Sequence, residues 1–142
     1  QPEKDFESLP AHEKRVVEER EELTHKAIAL DKFIQGEIYN TLSSRQKYLL
    51  KKQLMIMDMY IQVLDCRISS FYDEEDSFTR GEELIGFFGN ENFNVFTFKA
   101  LASEFINQVD RKGGNSPASG RNKAIATTDI ESAQMRAVKS LF

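Results

Sequence analysis

The stretch YLLKKQLMIMDMYIQVLDCRI, residues 48–68, decides the fold. Leu50, Leu54, Met57, Ile61, Leu64 and Ile68 recur in it at intervals of 4-3-4-3-4. That is the a/d rhythm of a helix laid against a partner helix. The methionines at 55, 57 and 59 read as packing residues, because a flexible thioether fills gaps in a helical seam. Ser43 or Ser44 can cap the start of this helix, which should run through about residue 71.

Upstream, Val16, Leu23, Ala27, Leu30, Ile34 and Ile38 also follow helical spacing, and glutamates 13, 18, 19, 21 and 22 crowd the early turns. A helix over about 10–39 is expected, capped by Ser8 with Pro10 in its first turn and preceded by a frayed polar lead. Two long helices joined by the short break Asn40–Ser44 make an antiparallel hairpin. Beyond it the acidic run Asp73-Glu74-Glu75-Asp76 reads as a solvated linker, since its spacing is not that of a calcium-binding loop.

Residues 77–96 mix phenylalanine with glycine and asparagine, a composition that favours turns, and suggest an irregular aromatic segment with one short strand pair. A third helix is expected over about 95–110, with Phe98, Leu101, Ala102, Phe105, Ile106 and Val109 on one face and Gly113-Gly114 at its end. Asn115 to Gly120 reads as a loop, and a fourth helix over about 121–141 carries the stripe Ala126, Ile130, Ala133, Ala137 and Leu141. The expected architecture is therefore mainly α. It comprises a helical hairpin at 9–72, a linker and aromatic loop at 73–94 with irregular or β character, and a two-helix C-terminal module at 95–142. The narrow stripe on the last helix buries little alone, so homo-oligomer contacts are expected there.

The composition limits what such a chain does. Its 142 residues suit one domain with a helical extension, and 40% hydrophobic residues suffice for a core. No run of about 18 apolar residues exists to cross a membrane, and residues 1–30 are too charged for a signal peptide. The chain opens on Gln1 rather than methionine, which suggests a trimmed start. One cysteine, Cys66, and two histidines, His12 and His25, leave no disulfide and no evident metal site. The net charge of −4 argues against nucleic acid as a partner. It is unevenly spread: residues 1–90 carry 12 basic and 18 acidic side chains, residues 91–142 carry 7 and 5. An anionic ligand would favour the second part.

No nucleophile triad, P-loop or dinucleotide fingerprint is present, so no catalytic residue, metal or cofactor is expected and the chain reads as a non-enzyme. The residue types that do converge suit a small anionic nucleotide. Phe88 offers a stacking face and Asn92 an amide. Lys99 is a cation on an apolar face, Arg121 a guanidinium at the entry to the last helix, and Thr128 lies seven residues further along that helix.

Two stretches resemble known phage families. HEKRVVEEREELTHKAIALDKFI (12–34) with YLLKKQLMIMDMYIQVLDCRI (48–68) resembles a helical hairpin of tailed-phage proteins, including a crAss-like phage protein family. FNVFTFKALASEFINQV (93–109) with SGRNKAIATTDIESAQMRAVKSLF (119–142) resembles the domain shared by the anti-CBASS cyclic-nucleotide sponge and the Thoeris anti-defence sponge. The hairpin-plus-domain combination is more similar to the Thoeris type, and the anti-CBASS tyrosine-arginine stretch upstream of the third helix is replaced here by phenylalanine and asparagine. The resemblance implies a homo-oligomer, from dimer to hexamer, with pockets between protomers. It implies capture of a cyclic nucleotide signal, of cyclic ADP-ribose type or a CBASS cyclic oligonucleotide, in the cytoplasm of the infected bacterial host. It also implies that Lys99 faces phosphate and that Arg121 and Thr128 occupy matched ligand positions. The competing expectation from another class is a helical phage adaptor or scaffolding protein that works by hairpin-mediated assembly.

Overall fold

The structure, a computed structural model, describes residues 4–72 and 77–142; the acidic run at 73–76 lies outside the described residues. The chain divides into two compact units, Gln1–Asp76 and Ser77–Phe142. All regular elements among the described residues are helical, so the expected strand pair is absent.

In the first unit a 3-10 turn, Phe6–Ser8, precedes α1 (Ala11–Ile34), the short α2 (Glu37–Asn40) and α3 (Ser44–Phe71). Ser8 does not cap α1. It is the third residue of the 3-10 turn and exchanges hydrogen bonds with Asp5, while Pro10 occupies the α1 N-cap position without a side-chain bond. The expected helix over 10–39 is interrupted because Gln35 ends α1 and Gly36 is extended. That break shifts the register of the next turn. Tyr39 is buried at 7% exposure, whereas Ile38, assigned to the seam by spacing, is 64% exposed.

The seam of α3 forms as its spacing predicts. Leu64 is fully buried, and Leu50, Leu54, Met57, Ile61 and Ile68 are half-buried against the first helix. Polar clamps fix the register of α1 on α3: Arg20 Nε donates to Asp65 Oδ1 at 2.7 Å, and the Tyr60 hydroxyl donates to Glu19. The carboxylate partner raises the pKa of Arg20, and the Glu19 carboxylate likewise raises that of Tyr60. Ser43 starts α3 through a capping box with Gln46. Ser43→Ala is expected to cost about 1 kcal/mol in urea unfolding, with the chain remaining folded.

The second unit contains α4 (Arg80–Ile85), α5 (Phe93–Lys112) and α6 (Pro117–Lys139). The segment expected to be irregular therefore holds a helix, begun by a Thr79–Glu82 capping box. Gly81 lets α4 sit directly on α5: a Cβ there would lie 2.1 Å from the Ser103 carbonyl oxygen. The contact is sealed by the Gly81 N–H donating to Asn107 Oδ1 at 2.9 Å and by Arg80 pairing with Asp110 at 2.9 Å.

On α5 the buried face is Ala102, Ser103 and Ile106, with Phe98 and Val109 half-buried. Leu101 and Phe105, expected on that face, are 60% and 46% exposed. On α6, Thr127 and Gln134 form the centre of the buried face. Ala126, Ile130 and Ala137 border it, but Ala133 and Leu141 are exposed. The hairpin of α5 and α6 is thus joined by a partly polar contact, in which Thr127 Oγ1 and Gln108 Oε1 are buried without a hydrogen-bond partner among the described residues. Such an interface stabilises a helix pair less than an apolar one would.

Candidate functional site

The loop from Gly86 to Asn92 is the most organised irregular segment of the second unit. Gly86 and Gly89 adopt positive φ, 78° and 84°, and so turn the chain back on itself twice. The carboxylate of Glu91 fills the concavity this creates. Its Oε1 accepts the Phe88 N–H at 2.6 Å and its Oε2 accepts the Gly89 N–H at 3.1 Å. Lys99, in the second turn of α5, donates to Glu91 Oε1 at 3.2 Å and to the Gly86 carbonyl at 3.0 Å. Both charged side chains are nearly enclosed, at 12% exposure for Lys99 and 8% for Glu91. The Phe88 N–H first, with further backbone donation and the lysine, holds the Glu91 carboxyl at about 2.

Aromatic rings surround this ion pair. The Lys99 ammonium lies 4.8 Å from the Phe88 ring centroid and 5.9 Å from that of Phe87. Phe87 and Phe93 each pack against Phe96, at centroid separations of 5.6 and 6.2 Å. Phe88 and Phe93 nevertheless remain 83% and 79% exposed. Two phenyl faces are thus presented to solvent, Phe88 on a loop that an internal ion pair holds in shape and Phe93 in the first turn of α5. Exposed rings of this kind suit stacking against a planar base.

The residues singled out from the sequence occupy different positions from those expected of them. Lys99 is not an isolated cation, because Glu91 folds back onto it. Asn92 is the N-cap of α5: its Oδ1 accepts the Val95 N–H at 3.0 Å, which begins the helix two residues earlier than expected. Arg121 is exposed and has no ion pair among the described residues, but it lies in the second turn of α6 rather than at its start. The helix begins earlier because Ser116 caps it and Pro117 supplies a preset φ for its first residue. Thr128 is exposed on α6, with its hydroxyl donating to the Ala124 carbonyl at 3.1 Å. The structure brings together Phe88 and Lys99, with Asn92 closing the same loop. Arg121 and Thr128 are two turns apart on α6, and among the described residues no hydrogen bond or ion pair links them to the loop.

Glu91 was not singled out from the sequence. The signal was a carboxylate directly after a Gly-Asn pair, where turning backbone presents unpaired N–H groups. No helix among the described residues is long and apolar enough to cross a membrane, and no metal-ligating cluster occurs among them.

Comparison with known proteins follows the same division. No curated protein and no solved structure is significantly similar to the chain. Two family matches cover most of it. Residues 10–70, which hold α1 to α3, match Sequestin. Residues 93–142, which hold α5 and α6, match the hairpin domain of Acb2/Tad1. The two segments thus match two families, both of them phage anti-defence nucleotide sponges.

Proposed function

We propose that the protein captures a cyclic nucleotide immune signal in the cytoplasm of the infected bacterium and withholds it unaltered from its effector. The signal is the cyclic ADP-ribose type of Thoeris defence, with CBASS cyclic oligonucleotides as the other class tested. The observation that carries this reading is the pair of exposed phenyl faces at the start of the segment that matches the Acb2/Tad1 hairpin domain, Phe93 as its first residue and Phe88 on the loop leading into it. Phe88 stacks on the base, and the Nδ2 of Asn92, which the helix cap leaves unused, donates to the ligand. Lys99 holds the loop and contributes positive potential, Arg121 binds phosphate, and Thr128 lines the same face of α6. A second copy of the chain supplies one of the two residue sets, so the pocket is completed on assembly. The partly polar contact of α5 with α6 and the exposed Leu101, Phe105, Ile125 and Met135 support assembly through this module.

The exposed series Leu49, Ile56 and Val63 on α3, spaced by sevens, favours the other reading, a scaffolding role through the hairpin. Calorimetry with the candidate nucleotides separates the two. Capture predicts tight stoichiometric binding and recovery of the intact nucleotide on heating. A scaffold predicts no heat, and a hydrolysed product would place the chain among enzymes. Arg121→Ala is expected to weaken binding about tenfold to hundredfold, the worth of one charge-assisted hydrogen bond, with unchanged circular dichroism. Unchanged affinity removes Arg121 from the site.

A further inference from the structure

The turn end of the N-terminal hairpin has an electrostatic character opposite to that of the unit it belongs to. Residues 38–57 contain four cations, Arg45, Lys47, Lys51 and Lys52, and no carboxylate. Elsewhere in the same unit two cations meet acids: Arg20 pairs with Asp65 and Lys14 with Glu7. None of the four is ion-paired among the described residues, and none has an acid three or four positions away on the helix. Lys47 and Lys51 are an (i, i+4) pair of like charges, an arrangement that destabilises a helix. The positive end of α3, which starts at Ser44, lies beside them.

Aromatic rings replace the missing carboxylates. Lys47 and Lys51 lie 5.7 and 6.0 Å from the ring centroid of Tyr39. Arg45 and Lys52 lie 5.5 and 5.6 Å from that of Tyr48. Tyr39 is buried and its hydroxyl donates to the Lys47 carbonyl at 3.4 Å, so it acts as a fixed floor. Tyr48 is half exposed, and Arg45, Tyr48 and Lys52 share one face of α3 at spacings of three and four.

We propose that this turn end is a second ligand site, separate from the C-terminal module, which binds a nucleotide carrying adjacent phosphates. Arg45 and Lys52 hold the phosphates, Lys51 adds charge at their edge, and the exposed Tyr48 ring stacks on the base. A planar guanidinium suits two phosphate oxygens at once, whereas the lysines act as point charges. The site depends on none of Phe88, Lys99 or Arg121.

The test titrates the full chain with ADP and with inorganic pyrophosphate at low salt, followed by amide shifts of residues 44–52 and by calorimetry. ADP is expected to shift these amides, and more salt to weaken the effect. R45Q/K52Q, in which both replacements favour helix, should lower ADP affinity at least about tenfold with unchanged circular dichroism. Tyr48→Ala should remove the preference for ADP over pyrophosphate. R121A should leave this binding intact, so failure here is distinct from failure of the C-terminal site. The proposal is overturned if millimolar ADP leaves residues 44–52 unshifted, or if R45Q/K52Q binds as the parent does. It is also overturned if a short single-stranded oligonucleotide displaces ADP from these residues and binds more tightly, since the turn would then be a nucleic-acid contact.

Discussion

Gly81→Ala is expected to detach α4 from α5. The added methyl would stand 2.1 Å from the Ser103 carbonyl oxygen, 2.9 Å from its carbonyl carbon and 2.6 Å from Asn107 Oδ1. Two of those atoms are backbone inside a regular helix, so no rotamer change relieves the overlap. Moving α4 outward breaks the Gly81 N–H bond to Asn107 and the Arg80–Asp110 pair together. The cost is about 3 kcal/mol, the upper end for overpacking, and it falls on the segment leading into the aromatic loop. Hydrogen exchange should show lost protection at residues 82–86, with α5 and α6 retaining theirs. Gly120→Ala is the matched control: it lies inside α6, its Cβ would meet nothing within 4 Å, and it should stabilise by about 1 kcal/mol. Retained protection in Gly81→Ala would show that α4 is held by something other than its close approach to α5.

The second large effect concerns Glu91. Glu91→Gln leaves one acceptor oxygen for two backbone N–H groups and strips Lys99 of its counter-charge in a site that water scarcely reaches. An uncompensated charge in such a place is more costly than a weak surface contact, so the loop should open to solvate the ammonium. Exchange protection at Phe88 and Gly89 is then expected to vanish, and Phe88 to lose its fixed orientation. Acid should do the same to the parent protein. The carboxyl is held at about 2, below its ordinary 4.5, so it binds its proton more weakly folded than unfolded. Its stabilising contribution is therefore complete above about pH 4.5 and fades as the pH falls towards about 2. The amide shifts of Phe88 and Gly89 should hold at pH 4 and collapse near pH 2, and the glutamine variant should show no such titration. A midpoint near 4.5 in the parent would contradict the enclosed geometry.

The two units differ in how far their sequences announced them. The seam of α3 was legible because one partner helix dictates one period, and all six residues of that seam are at least half-buried. On α6 the same reasoning picked the alanines and missed Thr127 and Gln134, because the buried face is centred on polar residues that a hydrophobic count passes over. The short α4 is too brief to show a period, and only the Thr79–Glu82 spacing marked it. At the candidate site the residue types were readable but their relations were not. That Lys99 meets Glu91 and the Gly86 carbonyl depends on two positive φ angles upstream of them, at Gly86 and Gly89, and a linear spacing of eight residues does not reveal a chain reversal. Ser116-Pro117 did signal the start of α6, and the stronger pull of Gly120 as a loop residue displaced it.

The capping residues bear on how the chain acquires its shape during synthesis. Asp5, Ser43 and Thr79 each open a helical segment through a reciprocal box, and the Asn92 and Ser116 side chains open theirs by accepting a backbone N–H. Every helix among the described residues also packs on a near neighbour along the chain: α1 on α2 and α3, α4 on α5, α5 on α6. Helix limits set by adjacent residues and partners met soon after emergence make a low-contact-order protein, which needs no distant segment before it orders. The first hairpin can close on the ribosome while residues beyond 77 are still being added. The proposed capture of a ligand copy for copy gains from this, because each chain is folded and ready to assemble almost as soon as it is made.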